Sequence, residues 1–356
     1  MNRFALNYLR NLWRIRNPGA ILEPLAVTYY ITHQCNLNCA YCEDFGISRN
    51  LANIGHETAD LAFKILSIIR TASDSLILTG GEPLLHPRIE PILAYARNDL
   101  KFREITLLTN ALALHDRSDV LMHVDRLLVS LDSTDLDLWH NLVGASRSQA
   151  ERILDNIQWA AGRQKTDQFQ MIVNCVLSPK TLPGAGALLD YCAEHDLLIS
   201  FSPQSVQNWP DYDLVVAPEY RVFLEHLLTL KNKSAPILGS RAYLKSLASL
   251  NPYVCHPTLI PRIMPDGALI YPCRPIQRDG GSRGGTAINL LTAGSWNAAM
   301  RQAQQLYGQP PETCASCFQQ CYAEASLMQE YPLEYIWELL RYALNRRVNL
   351  ATFAPG

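Results

Sequence analysis

The stretch AVTYYITHQCNLNCAYC, residues 26–42, decides how the chain is read. Its first half is a run of β-branched and aromatic residues, the composition of a strand. Its second half places Cys35, Cys39 and Cys42 within eight positions, directly after that strand. Three thiols so spaced fit a loop wrapped around one metal centre. They are one ligand short of closing a tetrahedral zinc site or a fully liganded [4Fe–4S] cluster. An open coordination position is what a catalytic centre needs. The competing reading is a closed structural zinc site with His33 or Asp44 as fourth ligand.

Downstream, SLILT (75–79), EITLLT (104–109), RLLVSL (126–131), QMIVNCVL (170–177) and LLISFS (197–202) repeat the strand composition. Between them lie stretches such as ETADLAFKILSIIR and ERILDNIQWAAGR, whose apolar residues recur at helical spacing. Strands alternating with helices predict an α/β fold around a parallel sheet. Right-handed crossovers curl six such units into a partial (β/α)6, TIM-like barrel, which the pattern alone does not separate from a flat doubly wound sheet. In both, ligands sit at the carboxyl ends of the strands, where the cysteine loop begins.

Apolar residues make up 48% of the 356 and charged residues 18%, a globular composition. Lys and Arg total 31 against 33 for Asp and Glu, a net charge of −2. That balance predicts no nucleic-acid partner, which calls for a basic excess. No apolar run reaches the ~18 residues of a membrane span. Arg3, Arg10 and Arg14 interrupt the apolar positions near the start, so no signal peptide is expected and the chain is placed in the cytoplasm. There, ten cysteines imply metal rather than disulfides.

The strand–helix rhythm breaks after about residue 235. Cys255 and Cys273 bracket CHPTLIPRIMPDGALIYPC, read as a hairpin turning at Pro265-Asp266-Gly267. Cys314, Cys317 and Cys321 follow in CASCFQQC. A loop-rich segment of this length needs a metal staple. Zinc is again an alternative, because CxxC with two further cysteines is a common closed site. Cys175 and Cys192 fall in a strand and a helix and read as small buried apolar residues. The expected division is 1–26 for an N-terminal amphipathic helix and lead-in, 27–235 for the barrel, 236–330 for the metal-bearing domain and 331–356 for a C-terminal helix.

Cys35, Cys39 and Cys42, with Tyr41 before the last, resemble the cluster-binding signature of the radical S-adenosylmethionine enzymes. Thr79-Gly80-Gly81-Glu82-Pro83, at the end of strand two, is similar to that family's GGEP motif, and the element order to about residue 203 resembles its partial barrel. The resemblance implies that the three cysteines hold a [4Fe–4S] cluster whose fourth iron binds S-adenosyl-L-methionine. Reductive cleavage would then give a 5′-deoxyadenosyl radical, with electrons from a flavodoxin- or ferredoxin-type donor. It further implies cofactor contacts from Tyr41, Thr79, Gly80, Gly81 and Glu82, the last on the amino group. Thr109, Asn110, Ser130 and Asn174 are further cofactor candidates, with Asp132 and Gln204 nearer the substrate and Val176 to Pro179 packing the adenine. Many relatives carry Thr-Asn-Gly where this chain has Thr109-Asn110-Ala111. Capping and turn chemistry is the plainer reading of each polar residue. The cysteines from 255 to 321 resemble the SPASM or shorter Twitch extension. Five are too few for two all-cysteine clusters, which implies one auxiliary [4Fe–4S] cluster and a spare among Cys314, Cys317 and Cys321.

Residues 2–16 and 333–350 read as basic amphipathic helices, the first with Phe4, Tyr8, Leu9, Leu12 and Trp13 on one face. Such helices either pack on the barrel or lie on a membrane surface. The expected function is radical chemistry on a C–H or C=C bond of a small metabolite, sugar or lipid intermediate. One alternative is a SPASM-type maturase acting on a ribosomally made peptide or protein. The roughly 26 residues before strand one are too few for an independent leader-binding domain, which weakens that reading. The other is a non-catalytic iron–sulfur or zinc protein, which has no use for a GGEP turn.

Overall fold

The computed structural model describes residues 3–17, 19–42, 55–206, 209–233, 235–278, 282–310 and 317–338. Helix α1 (Arg3–Arg14) precedes β1 (Val27–Tyr30), after which α2 (Ala59–Ala72) leads to β2 (Ser75–Thr79) and α3 (Ile89–Ala94) to β3 (Glu104–Thr109). A 3-10 turn (Ser118–His123) reaches β4 (Arg126–Ser130), α4 (Leu136–Val143) and α5 (Arg147–Asp167) reach β5 (Gln170–Leu177), and α6 (Ala185–Glu194) reaches β6 (Leu198–Pro203). A short ribbon, β7 (Ser205–Val206) and β8 (Trp209–Pro210), is followed by α7 (Tyr212–Val215), α8 (Pro218–Asn232) and α9 (Arg241–Ser249). The hairpin β9 (Arg262–Ile263) and β10 (Leu269–Ile270) comes next, then α10 (Arg274–Arg278), α11 (Leu290–Ala293), α12 (Trp296–Tyr307) and α13 (Gln320–Glu330).

Strand order removes the ambiguity between barrel and doubly wound sheet. The sheet runs β10-β9-β1-β2-β3-β4-β5-β6, so β1 to β6 are neighbours in chain order and all parallel. A doubly wound sheet reverses direction at a switch point, and this one never does. Every crossover advances the same way, which wraps the helices around one face and curls the other inward. The β3–β4 crossover departs from the expected rhythm: it is a 3-10 turn rather than an α-helix.

Alternation sorts the strand residues between the faces. Leu76, Leu78, Ile105, Leu107, Leu127, Val129, Met171 and Val173 are buried in one core with Ile65, Leu66 and Ile69 of α2 and Ile153 and Ile157 of α5. The opposite positions, among them Thr79, Thr106, Arg126, Gln170 and Asn174, line an inner cavity. Polar residues recurring on one face of otherwise apolar strands mark a lumen rather than a filled core.

The open edge is closed by the later segments. The predicted hairpin is present, with Gly267 at φ +89° in its turn, and β9 adds to β1 in parallel. Helix α13 is buried along most of its length and turns Gln320, Cys321 and Glu324 toward the cavity.

Helix α1 divides its expected apolar face, packing Phe4, Tyr8 and Leu12 on a small core while Leu9 and Trp13 turn outward. It buries Asn7, Tyr8 and Asn11 and exposes Leu9 and Trp13. The Asn7 Nδ2 donates to the carbonyls of Pro24 (2.8 Å) and Ala72 (3.0 Å), and Asn11 exchanges two hydrogen bonds with the Glu23 backbone. These contacts supply partners to backbone groups that burial would otherwise orphan. Of the C-terminal helix, residues 332–338 are helical, and the remainder, with Leu339, Leu340, Arg341, Ala343, Arg346 and Arg347, lies outside the described residues.

Candidate active site at the carboxyl ends of the strands

The turn after β2 is zipped to the loop entering the cysteines. Ile31 N–H donates to Thr79 O (2.8 Å), Gly81 N–H to Thr32 O (2.9 Å) and Glu82 N–H to Gln34 O (2.7 Å). A Cβ on Gly80 would stand 2.7 Å from Thr32 O, and one on Gly81 only 2.3 Å from Gln34 O. Neither glycine has a positive φ. Their smallness lets two backbones touch.

Cys35, Cys39 and Cys42 are half-buried on this loop. Asn38 N–H and Ala40 N–H bond to Val143 O and Leu142 O at the end of α4, at 3.0 and 2.8 Å. Asn110 Nδ2 donates to Asn36 Oδ1 (2.7 Å), tying in the end of β3. The three thiols lie close enough for each negative charge to oppose the others. Burial pushes Cys35 up to about 11 and Cys39 up to about 12. Neither is a thiolate at neutral pH until a cationic centre deprotonates it.

The donor set fits a cubane better than a single ion. Among the described residues no three His, Cys, Asp or Glu side chains converge as one metal ion requires. A four-iron cluster puts each thiolate on a different iron and so tolerates wider separation. The charges that act on His33 are those of Asp266, Arg274 and Glu57, with no cysteine among them. Asp44 lies outside the described residues.

Glu82 is wholly buried. Its carboxylate accepts from Leu84 N–H (3.0 Å), Thr109 Oγ1 (2.8 Å) and Asn110 N–H (2.7 Å). Burial still raises it to about 7, the three donors opposing. The structure thus shows Glu82 and Thr109 clamping the ends of β2 and β3 together. A Glu82→Gln substitution turns one acceptor into a donor facing a donor, with an expected cost of about 1–3 kcal/mol in thermal denaturation. It should also remove a pH dependence. The folded carboxyl titrates above its ordinary value near 4.5, so its contribution falls as pH rises from there to about 7.

Asp132 is buried as well, and its carboxylate accepts from Tyr41 Oη (2.5 Å) and Val176 N–H (2.8 Å). Burial raises it to about 6. It is not among the residues lining the cavity, and it links the cysteine loop to β5. Tyr41, Thr79, Asn174, Val176 and Gln204 do line it. Asn174 Oδ1 accepts from Ser200 Oγ (3.0 Å), while its register partner Ser130 is exposed.

The cavity is about 450 Å³ and runs from this mouth along the inner sheet face. Sequence reasoning missed much of its wall. Arg262 of β9 donates to Tyr30 Oη (3.1 Å) and Cys321 Sγ (3.0 Å) and lies over the Tyr322 ring. Glu324 accepts from Ser240 N–H with both oxygens, and Arg126 pairs with Glu104 at 3.0 Å. The inward polar positions of β3, β4 and β5 were the available signal. Arg262 and Glu324 had none.

In the second cysteine group, Cys255, Cys273 and Cys317 are buried in the main core. Tyr253 Oη donates to Cys317 O (2.6 Å), and Cys273 and Cys321 both act on Tyr322. Cys321 differs in lining the cavity. Cys314 lies outside the described residues. Cys175 and Cys192 are buried, as expected.

Residues 29–181 match the family model of the Radical SAM superfamily. Among curated proteins it is 28% identical over 223 residues to a GTP 3′,8-cyclase of Rhodococcus opacus, covering 60% of this chain and 61% of that one. A GTP 3′,8-cyclase of Mycobacterium marinum is 32% identical over 171 residues, covering 46% of each. The chain thus spans between about half and three fifths of the length of such relatives. Among solved structures, anSMEcpe with bound AdoMet shares the fold at TM-score 0.58 and 18% identity, covering 93% of this chain and 96% of that one. Streptococcus suis SuiB bound to S-adenosylmethionine gives TM-score 0.54 at 20% identity, covering 74% and 61%.

Proposed function

We propose that the chain is a radical S-adenosylmethionine enzyme whose substrate is a small molecule. The carrying observation is the trio of half-buried thiols on the loop leaving β1, with no fourth His, Cys, Asp or Glu side chain grouped with them among the described residues, beside a barrel cavity whose wall includes Tyr41 of the same loop. The cluster and S-adenosyl-L-methionine supply, when bound, reductive C–S cleavage and a radical able to attack a C–H or C=C bond. The chain's own part is placement. The zipped Gly80-Gly81 turn, Asn110 on Asn36 and Tyr41 on Asp132 fix the cysteine loop from three sides. Thr79, Asn174 and Gln204 offer polar groups at the mouth, with Ser130 beside Asn174. The barrel wall limits water, which protects a radical from quenching.

A 450 Å³ cavity suits a cofactor with a small substrate better than a folded peptide. Its wall carries Arg126, Lys231, Arg262 and Arg278 against Glu324 and Glu338, which favours an anionic substrate. A purine nucleotide is the second reading, since the curated relatives are named for chemistry on GTP. A flavodoxin- or ferredoxin-type donor would supply the electron. Reconstituted enzyme with dithionite should form 5′-deoxyadenosine, and deuterated candidates, GTP first, should pass label into it. No 5′-deoxyadenosine at all would leave a non-catalytic iron–sulfur protein. Label arriving only from a peptide would favour the maturase reading.

The auxiliary [4Fe–4S] cluster belongs to the same proposal, on Cys255, Cys273, Cys317 and Cys314, with Cys321 as the spare. Cys321 is singled out because its thiol meets Arg262 at the cavity wall. Single Ala variants at 255, 273, 314 and 317 should each lose about four irons or precipitate. Cys321→Ser should keep its iron. Iron loss in that variant would overturn the assignment.

A further inference from the structure

We propose that the outer face of α1 docks on a bilayer surface carrying anionic headgroups. The hydrogen bonds of Asn7 and Asn11, with Asp74 accepting from the Arg3 and Phe4 N–H groups, fix which face of the helix turns outward. That face presents Leu9, 53% exposed, and Trp13, 69% exposed, with Arg10 and Arg16 exposed beside them. Isolated exposed apolar residues are ordinary, but a Leu and a Trp one turn apart on a helix pinned outward are not.

Charge selects the occupant. Residues 3–17 carry Arg3, Arg10, Arg14 and Arg16 and no acidic residue, in a chain whose net charge is −2. Arg14 is engaged by Glu23 at 2.8 Å, which leaves Arg10 and Arg16 to frame the apolar stripe. An aromatic and an aliphatic residue between arginines is the pattern of a helix lying in the headgroup plane. A neighbouring segment adds to it. The rings of Tyr335 and Tyr8 lie tilted with centroids 6.2 Å apart, and Leu333, two residues before Tyr335, is 81% exposed. Helix α1 lies by the residues that enter β1 and β2, opposite the cysteine loop. Docking there leaves the cavity mouth open to cofactor and electron donor.

The test is co-sedimentation of the full chain with vesicles of phosphatidylcholine alone or mixed with phosphatidylglycerol. Wild type should pellet with the anionic vesicles and weakly with the neutral ones, and added salt should weaken the binding. The Leu9→Ser/Trp13→Ser variant should lose binding roughly tenfold or more. The Arg10→Glu/Arg16→Glu variant, which leaves the apolar residues in place, should lose it similarly, each arginine being worth about fivefold. Both pairs are exposed, so iron content and melting temperature should not change. Absence of binding to anionic vesicles, or unchanged binding in the variants, would overturn the proposal. So would a dimer in sedimentation velocity that the Leu9→Ser/Trp13→Ser variant abolishes, since the face would then belong to a second copy.

Discussion

Replacing Cys35, Cys39 and Cys42 together by Ala is expected to remove about four irons per chain from anaerobically prepared protein. The same variant should form no 5′-deoxyadenosine. The barrel should survive, because the loop bearing the thiols is held by other groups. Asn38 and Ala40 bond to the end of α4, Gly81 and Glu82 to the loop entrance, and Tyr41 to Asp132. Those contacts involve no cysteine side chain. Far-ultraviolet circular dichroism should therefore match wild type while iron falls. Unchanged iron, or stoichiometric zinc in the wild type, would return the site to a structural metal and remove the basis for radical chemistry.

The second large effect is expected at Gly81. An added methyl would stand 2.3 Å from Gln34 O, 2.6 Å from Gln34 C and 2.8 Å from His33 O. All three are backbone atoms, so no rotamer can relieve the clash. The loop must move, which breaks the Glu82 N–H bond to Gln34 O and displaces Cys35 one residue on. The cost should reach about 3 kcal/mol, the upper end for overpacking, together with loss of cluster loading. Gly162→Ala is the matched control. Gly162 lies within α5 with nothing within 4 Å of the added Cβ, so it should gain about 1 kcal/mol from helix propensity. Thermal melting with iron quantitation on both variants separates the effects. A Gly81→Ala protein with wild-type stability and iron would show that the turn yields where its backbone contacts say it cannot.

The local features of this chain were legible in the sequence. Strand runs with period-two alternation, helices with capping residues and a thiol loop after the first strand all depend on neighbours in the chain. The six strands, the hairpin turning at Gly267 and the cysteine trio were therefore available before any fold was known. Inward polar positions such as Arg126, Gln170 and Asn174 were available too, once the alternation was followed along each strand.

Tertiary structure decided what distant segments do to one another. Strand order chose the barrel over the doubly wound sheet, because the direction of each crossover is set by packing and leaves no mark on local periodicity. The backbone contacts of Gly80 and Gly81 and the donors that meet Glu82 and Asp132 were not legible, because those partners arrive from other strands and loops. The face that α1 buries carries the Asn7 and Asn11 amides onto the carbonyls of residues 23, 24 and 72, beside Phe4, Tyr8 and Leu12 on a small core. Hydrophobic periodicity ranks faces by apolarity alone. A buried backbone carbonyl in need of a donor adds a second demand to that ranking, and where it will lie is fixed by the fold.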